Sequence, residues 1–212
     1  MDPIAEAPRR RRLKSEDRRR EFVARAVELF AAEGFDSSTR GLARALGVTQ
    51  PLLYRYFPSK EDLIEEVYRT VFLDRWRPEW DALLGDRGRP LKERLAEFYL
   101  SYLEVIYDRT WLRIYLHSGL NRVDTIRGYM GLVRRRVIER IVAEARAEAG
   151  LPERAPREDE VELAWVVHGG LFYHGVRALI FENAPSDDRP TMVADAVEAL
   201  VAGLRTKFAR EG

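Results

Sequence analysis

The sequence of 212 residues contains no cysteine and three histidines. Without cysteine the chain forms no disulfide and offers no thiolate to a metal ion, which suits a reducing cytosol. His168 and His174 would project from different sides of one helix, so they do not form a helical metal pair. No apolar run reaches the ~18 residues of a membrane span, and the start lacks the apolar core of a signal peptide. We expect a soluble, cytoplasmic protein with no metal, no cofactor and no membrane partner.

Motifs that carry catalysis are also lacking. The sequence has no nucleophile elbow around a serine, no glycine-rich phosphate loop and no carboxylate pair placed for acid–base chemistry. The acidic clusters at 65–66 and 158–160 have the positions of helix caps or solvated helix faces. We therefore predict no catalytic residues. An enzyme remains a rival from another class, and turnover of a candidate ligand would favour it.

Positive charge is concentrated at one end of the chain. The net charge is +1, but residues 8–60 hold 13 Lys or Arg against 6 Asp or Glu, which is +7 and leaves −6 for the rest. Such an asymmetry indicates contact with a polyanion. Residues 1–14 include the run Arg9–Arg12, and we expect them to form a disordered basic arm. Contact of this arm with DNA and a merely solvated tail are both open.

Residues 38–60 have the pattern of two short helices joined by a tight turn. Thr39 can cap the first helix, and Gly47 stands where a helix needs a left-handed residue to end. Thr49 can cap the second helix, and Pro51 fits its first turn. The inward residues are Leu42, Ala43, Leu46, Leu53 and Phe57, and the outward ones are Arg40, Arg44, Gln50, Tyr54, Arg55, Tyr56 and Lys60. This is a helix-turn-helix with its outer face left for DNA.

The run Gly47-Val48-Thr49-Gln50-Pro51-Leu52-Leu53-Tyr54-Arg55-Tyr56-Phe57-Pro58-Ser59-Lys60-Glu61-Asp62-Leu63 resembles the signature of the tetracycline-repressor (TetR) family of transcriptional regulators. Upstream, Ala26, Leu29, Phe30, Gly34, Phe35 and Thr39 also stand where that family has them. The resemblance covers about residues 20–63 and is specific; the rest is similar only in length and helical character. It implies an all-α fold with an N-terminal three-helix DNA-binding domain and a C-terminal helical domain for ligand binding and dimerisation.

The domain boundary is expected between about Tyr68 and Pro90, because glycine and proline interrupt the helical pattern there. We assign the helix-turn-helix domain to 15–68 and the ligand-binding and dimerisation domain to 69–212. Ser15 begins a helix that braces the helix-turn-helix, and Ser59 begins another with a capping-box pattern. Further helices are predicted at about 91–109, 111–120, 124–149, 161–183 and 190–210.

The resemblance assigns DNA contacts by position. Thr49, Gln50 and Leu52 would face bases, with Gln50 able to pair with adenine and Leu52 to touch a thymine methyl group. The residues expected to hold phosphates are Thr39, Arg40, Tyr54, Tyr56 and Lys60. Pro51 and Arg55 complete the predicted DNA-binding set. Pro51 and Leu52 replace the smaller or hydroxylated residues common in the family, which puts a simple base code in doubt, and packing between helices is the alternative for both tyrosines.

Aromatic residues after Pro90 suggest a small-molecule pocket, because apolar walls with a few polar groups are what such a pocket requires. The predicted lining is Tyr99, Tyr102, Trp111, Tyr115, Tyr129, Trp165, His168 and Phe172. Arg113 and His117 are further possible polar handles. Aromatic residues at helical spacing are more often core, so packing inside the domain is the alternative for each of them.

The last two helices are apolar on more than one side, which favours a two-fold four-helix bundle with a second copy. The predicted dimer interface comprises Leu171, Gly175, Ala178, Val197, Leu200 and Leu204. A compact monomer is the alternative. Altogether we expect a ligand-responsive, dimeric regulator, by resemblance a repressor that binds an inverted-repeat operator in double-stranded DNA and is released by a small molecule. A ligand-independent scaffold or architectural factor is the second rival.

Overall fold

A computed structural model describes residues 15–120, 124–183 and 188–211, so the predicted arm at 1–14 lies outside it. Within these ranges the chain is helical and has no strand, which confirms the predicted all-α class. The helices are α1 Ser15–Glu33, α2 Thr39–Ala45, α3 Gln50–Tyr56, α4 Lys60–Tyr68, α5 Glu79–Gly85, α6 Leu91–Ile106, α7 Arg109–Leu120, α8 Asp124–Val133, α9 Glu139–Glu148, α10 Glu158–Leu179 and α11 Arg189–Phe208. A π-helical turn, Arg69–Leu73, extends α4; another, Arg134–Ile138, joins α8 to α9; and a 3-10 turn follows α11.

The caps of α2, α3 and α4 follow the sequence closely. Gly47 has a φ of +69°, the left-handed conformation that ends a helix. The Thr49 hydroxyl accepts a hydrogen bond from the backbone N–H of Leu52 at 3.4 Å and caps α3. The expected capping box at the start of α4 is present between Ser59 and Asp62. One detail is wrong: Ser38, and not Thr39, is the N-cap of α2.

The N-terminal helices share a continuous apolar core. Phe30 of α1 packs against Phe35, with ring centroids 4.7 Å apart. Leu42, Leu53 and Phe57, which were predicted to point inward, are buried beside them. Each buried side chain of this size contributes about 1.5–3 kcal/mol. This burial fixes the angle between α2 and α3, and with it the surface that the two helices present to solvent.

Among the later helices, α5 was not predicted. It forms because Trp80 is buried against α6 and its indole N–H donates to the Ser101 hydroxyl at 2.9 Å. The region expected to hold the domain boundary, between about Tyr68 and Pro90, therefore contains a helix, and Leu84 of that helix belongs to the core. The other predicted helices occur close to their expected bounds, and α11 packs against both α6 and α10.

A buried charged cluster ties the segment after α5 to α9. Glu144 accepts hydrogen bonds from Arg87 at 3.0 and 3.2 Å and from buried Arg94 at 3.3 Å, and Arg140 lies 3.1 Å away. Burial alone would raise the pKa of Glu144, but the hydrogen bond of Arg87 and the positive charges of Arg140 and Arg87 outweigh it and lower that pKa. The carboxylate therefore stays ionised and stabilises the segment between α5 and α6.

Contacts of α7 with α1 and of α8 with α4 join the N-terminal helices to the later ones. On α7, Arg113 donates hydrogen bonds to the carbonyl groups of Ala31 and Ala32 at the end of α1, the latter at 3.0 Å. The positive charge of Arg113 also interacts favourably with the negative, C-terminal end of the helix dipole of α1. The second contact runs from α4 to α8. No helix among the described residues is long and apolar enough to span a membrane.

Candidate DNA interface and ligand cavity

The outer surface of α2 and α3 carries exposed arginines. Within the described part of the chain, Arg40, Arg44 and Arg55 are exposed and have no carboxylate partner. Three arginines of α1 differ, because each has a carboxylate partner: Arg19 is paired with Glu66 at 3.2 Å, Arg20 with Asp17 at 3.1 Å and Arg25 with Glu21 at 2.6 Å. Unpaired guanidinium groups keep a positive potential at the surface and remain available to phosphate groups. The sequence prediction omitted Arg44 from the DNA-binding set, although its position four residues after Arg40 on one helix indicates a shared side.

Tyr54 connects the two helices of the helix-turn-helix at the surface. Its side chain is 40% exposed, and Gln50 donates to its hydroxyl oxygen at 3.5 Å. Hydrogen bonds from the side chain of Thr39, and secondly from Gln50, lower the pKa of Tyr54. Thr39, Gln50 and Tyr54, which were all predicted to contact DNA, thus lie together, and their side chains fix one another's positions in the absence of DNA.

Other predicted DNA contacts have partners inside the protein. The ring of half-buried Tyr56 packs edge-on against the ring of Phe22, with centroids 5.2 Å apart. This is the packing between helices that was the alternative to a phosphate contact. The Lys60 ammonium group donates to the carbonyl of Phe35. Leu52 is half-buried against the core, and the Thr49 hydroxyl is occupied as a helix cap. Among the predicted base-facing and neighbouring residues, Thr49 and Pro51 are exposed.

A cavity of about 150 Å³ lies between α6, α7, α8 and α10. Its lining is Tyr102, Trp111, Tyr115, Tyr129, Met130, Val133, Trp165, His168, Gly169 and Phe172. Every residue of the predicted pocket is present except Tyr99. That ring is fully buried behind the wall, 5.9 Å from the ring of His168. Met130 and Val133 were missed, although they continue the helical spacing of Tyr129, and Gly169 gave no chemical signal in the sequence.

The polar groups of the cavity wall are few. The hydroxyl groups of Tyr102 and Tyr129 lie 3.0 Å apart and satisfy each other, and the Tyr115 hydroxyl donates to the Met130 sulfur at 3.1 Å. The buried Nδ1 of His168 has no hydrogen-bond partner among the described residues. Burial lowers the pKa of His168 to about 4, so its imidazole is neutral at pH 7. The predicted handle Arg113 points elsewhere, toward α1.

One aromatic side chain links this cavity to α4, the helix that follows the helix-turn-helix. Phe72, in the π-helical turn that extends α4, is buried with its ring 5.1 Å from Trp111 and 5.0 Å from Tyr129. Both of those residues line the cavity. A shift of Trp111 or Tyr129 in the cavity wall would therefore press directly on Phe72, at the end of the helix that follows α3 in the chain.

The predicted dimer-interface residues divide into two groups. Val197, Leu200 and Leu204 are buried in the core of their own chain, so they have no surface to offer a partner and their assignment is corrected. Leu171 and Gly175 are buried too, because Tyr107 packs over them; a Cβ at Gly175 would lie 2.7 Å from that ring. Ala178 is partly accessible. Helical spacing identified apolar stripes but could not tell which stripe the chain itself covers.

The surface of α10 and α11 that remains open is also apolar. Val166 is 70% exposed and Tyr173 is 54% exposed, with Gly170 between them on the same side of α10. Together with Met192 and Ala196 of α11 they border a groove of about 400 Å³. Exposed apolar patches of this kind are typical of interaction sites. Among the described residues, no group of carboxylates and histidines is placed to hold a metal ion.

Residues 22–67 match the family model described as bacterial regulatory proteins, tetR family. The HTH-type transcriptional repressor KstR2 of Mycolicibacterium smegmatis is 34% identical over 93 residues, which are 43% of this chain and 44% of that protein. The HTH-type transcriptional regulator LuxR of Vibrio harveyi is 26% identical over 131 residues, or 59% of this chain and 61% of that protein. The chain thus spans less than two thirds of the length of either relative.

Solved structures share the fold over nearly the whole chain. A TetR-like transcriptional regulator from Rhodococcus sp. RHA1 has a TM-score of 0.66 and 22% identity, with 92% of this chain and 99% of that chain covered. A tetR-family transcriptional regulator from Streptomyces coelicolor has a TM-score of 0.63 and 20% identity, with 94% and 85% covered. The helix-turn-helix is therefore similar to that of the tetR family of bacterial regulatory proteins, and the fold shared with the solved structures extends through the later helices.

Proposed function

We propose that the protein is a sequence-specific, DNA-binding transcriptional repressor that acts as a homodimer and is released from its operator by a small molecule. The observation that carries this proposal is the exposed, unpaired cluster of Arg40, Arg44 and Arg55 on a helix-turn-helix that matches the family model. A bacterial chromosome as partner implies action in the cytoplasm.

In this proposal α3 enters the major groove, where side chains near its start meet base edges. Gln50 reads adenine through its amide, and Pro51 lies beside it against the bases. Arg55 and the arginines of α2 bind phosphates, and Tyr54 adds a phosphate contact whose position is held by its neighbours. Tyr56 and Lys60 act mainly by fixing α3 against α1, because their side chains already contact Phe22 and the carbonyl of Phe35.

The proposed dimer forms through the open groove of α10 and α11. Val166, Gly170 and Tyr173 offer an apolar surface that water covers in the isolated chain. A two-fold axis beside α10 would bring these residues against the same residues of a second copy, and the two DNA-reading domains would then address an inverted repeat.

Ligand control is proposed to pass through Phe72 and Arg113. A molecule in the cavity changes the packing of Trp111 and Tyr129, which touch Phe72 and so bear on α4. Arg113 lies two residues after Trp111 on α7 and holds the end of α1. A ligand shifts the protein toward the arrangement that it fits better, by as much as its affinity differs between the two arrangements.

The proposal is tested by mixing the purified protein with fragments of its own genome and sequencing the fragments that it retains. We expect an inverted repeat bound by two chains, with affinity that falls steeply as salt increases. Small molecules related to the products of the adjacent genes are then added to the complex. Release of the DNA supports the proposal. Specific binding that no ligand of the cavity alters would favour the ligand-independent scaffold, and sequence-indifferent binding would contradict the regulator itself.

A further inference from the structure

We propose that the cavity between α6, α7, α8 and α10 takes an uncharged molecule the size of one aromatic ring, with a single hydrogen-bonding group that meets the imidazole of His168. Phenol and its simple neutral relatives have this chemistry. The inference rests on the proposed ligand control, because it names the class of molecule that the same cavity would bind.

The volume of the cavity sets the size of the molecule. At about 150 Å³ it is comparable to apolar protein cavities that hold benzene. Its walls are aromatic: the ring of Tyr115 stacks on Trp111 at 5.3 Å and meets Phe172 at 4.9 Å. Rings in such walls offer both faces and edges, which favours contact with another ring in an offset or edge-on arrangement. A single aromatic ring therefore matches the volume of the cavity.

The charge of the wall excludes ionised ligands. The lining contains no Asp, Glu, Lys or Arg side chain. His168 is also uncharged at pH 7, since burial lowers its pKa to about 4. A carboxylate or an ammonium group that entered this cavity would lose its hydration and find no opposite charge there. A neutral molecule does not meet that penalty.

The hydrogen-bonding group is inferred from His168. This residue lines the cavity, is 7% exposed, and has a buried ring nitrogen without a partner among the described residues. Buried polar side chains nearly always have a partner, and His168 makes no hydrogen bond to any of the described residues, so in this proposal the ligand bonds to the part of the imidazole that borders the cavity. The hydroxyl groups of Tyr102 and Tyr129 do not need one, because they bond to each other. The ring of His168 is held by contacts with Trp165 and Tyr102 at 5.5 and 5.4 Å.

The test is titration calorimetry of the full chain at pH 7 with four probes: phenol, toluene, benzoate and 2-naphthol. We expect phenol to bind about tenfold more tightly than toluene, because toluene leaves the imidazole unsatisfied. Benzoate should give no heat of binding, and 2-naphthol should bind no more tightly than phenol. These four titrations use the wild-type protein alone, so their outcome does not depend on whether a variant folds. Equal binding of phenol and toluene, or tighter binding of benzoate, would overturn the inference.

A variant locates the hydrogen bond. His168→Leu keeps a side chain of similar volume, and in it the advantage of phenol over toluene should disappear while toluene binding stays. The matched control Arg135→Ala, at an exposed residue of the π-helical turn between α8 and α9, should keep the wild-type ratio. A ratio that survives in His168→Leu would contradict the role of the imidazole.

Measuring operator binding in parallel separates this inference from the proposed function. If phenol binds with the expected profile and leaves the DNA complex intact, the chemistry of the cavity stands and ligand-controlled repression fails. If a charged molecule occupies the cavity and releases the DNA, repression stands and the inference about the ligand fails.

Discussion

Lowering the pH should destabilise the protein through His168. Its folded pKa of about 4 lies below the ordinary value of 6.5, so the unfolded chain takes up a proton first as the pH falls. The loss of stability begins near pH 6.5, grows as the pH approaches 4 and is complete below that. A shift of about 2.5 pKa units corresponds to roughly 3.4 kcal/mol at ~1.36 kcal/mol per unit, of which about 2 kcal/mol is lost between pH 7 and pH 5.

Urea unfolding of the wild type and of His168→Leu at both pH values measures this loss. His117 and His174 are present in both proteins, so their protonation cancels in the comparison, as does that of the carboxylates. The free energy of unfolding of the wild type should fall by about 2 kcal/mol more than that of His168→Leu. An equal fall in the two proteins would refute the assignment of a buried, neutral imidazole at the cavity.

Three further substitutions test other contacts. Glu144→Gln should lower the free energy of unfolding by about 3–5 kcal/mol, since buried Arg94 loses its countercharge, and a change below about 1 kcal/mol would contradict the role of the cluster. Arg113→Met keeps much of the side-chain length but removes two hydrogen bonds to α1; the ligand should then bind the cavity as before while releasing DNA less, and unchanged release would show that α7 does not act on α1. Gln50→Ala should alter the preference among bases at one position by about 1–3 kcal/mol in binding assays on operator variants, and an equal loss on every sequence would sink its assignment to a base.

The helix-turn-helix could be predicted from the sequence because its signals are local. A left-handed glycine at 47, caps at Thr49 and Ser59 and a proline in the first turn of α3 each act within four residues, and the structure contains all of them. The apolar spacing of α1 and α3 was equally informative. Ser38 replaced Thr39 as the cap because adjacent hydroxyl residues serve equally well by chemistry, and only the path of the chain decides between them.

The features that the sequence did not reveal depend on distant residues. Helix α5 is stabilised by the packing of Trp80 on α6, and no local sequence pattern predicts this contact. Arg94 donates a hydrogen bond to Glu144 although the two residues lie fifty positions apart in the sequence. Most of the cavity lining was found because bulky aromatic residues and a histidine mark such walls, whereas Gly169 contributes only space. Val197 and its neighbours were misassigned because an apolar stripe looks the same whether its own chain or a partner covers it.

The central claim is that the exposed arginines of the helix-turn-helix bind DNA, and the salt dependence of operator binding tests it most directly. Fluorescence anisotropy would follow the wild type, Arg55→Ala and Arg135→Ala on a retained genomic fragment at several salt concentrations. Both variants change the net charge of the chain equally, but Arg135 lies far along the sequence in the π-helical turn after α8. We expect Arg55→Ala to weaken binding to all sequences and to reduce the slope of log affinity against log salt by about 0.9 for each chain bound. Arg135→Ala should match the wild type; equal slopes for all three proteins would contradict the claim.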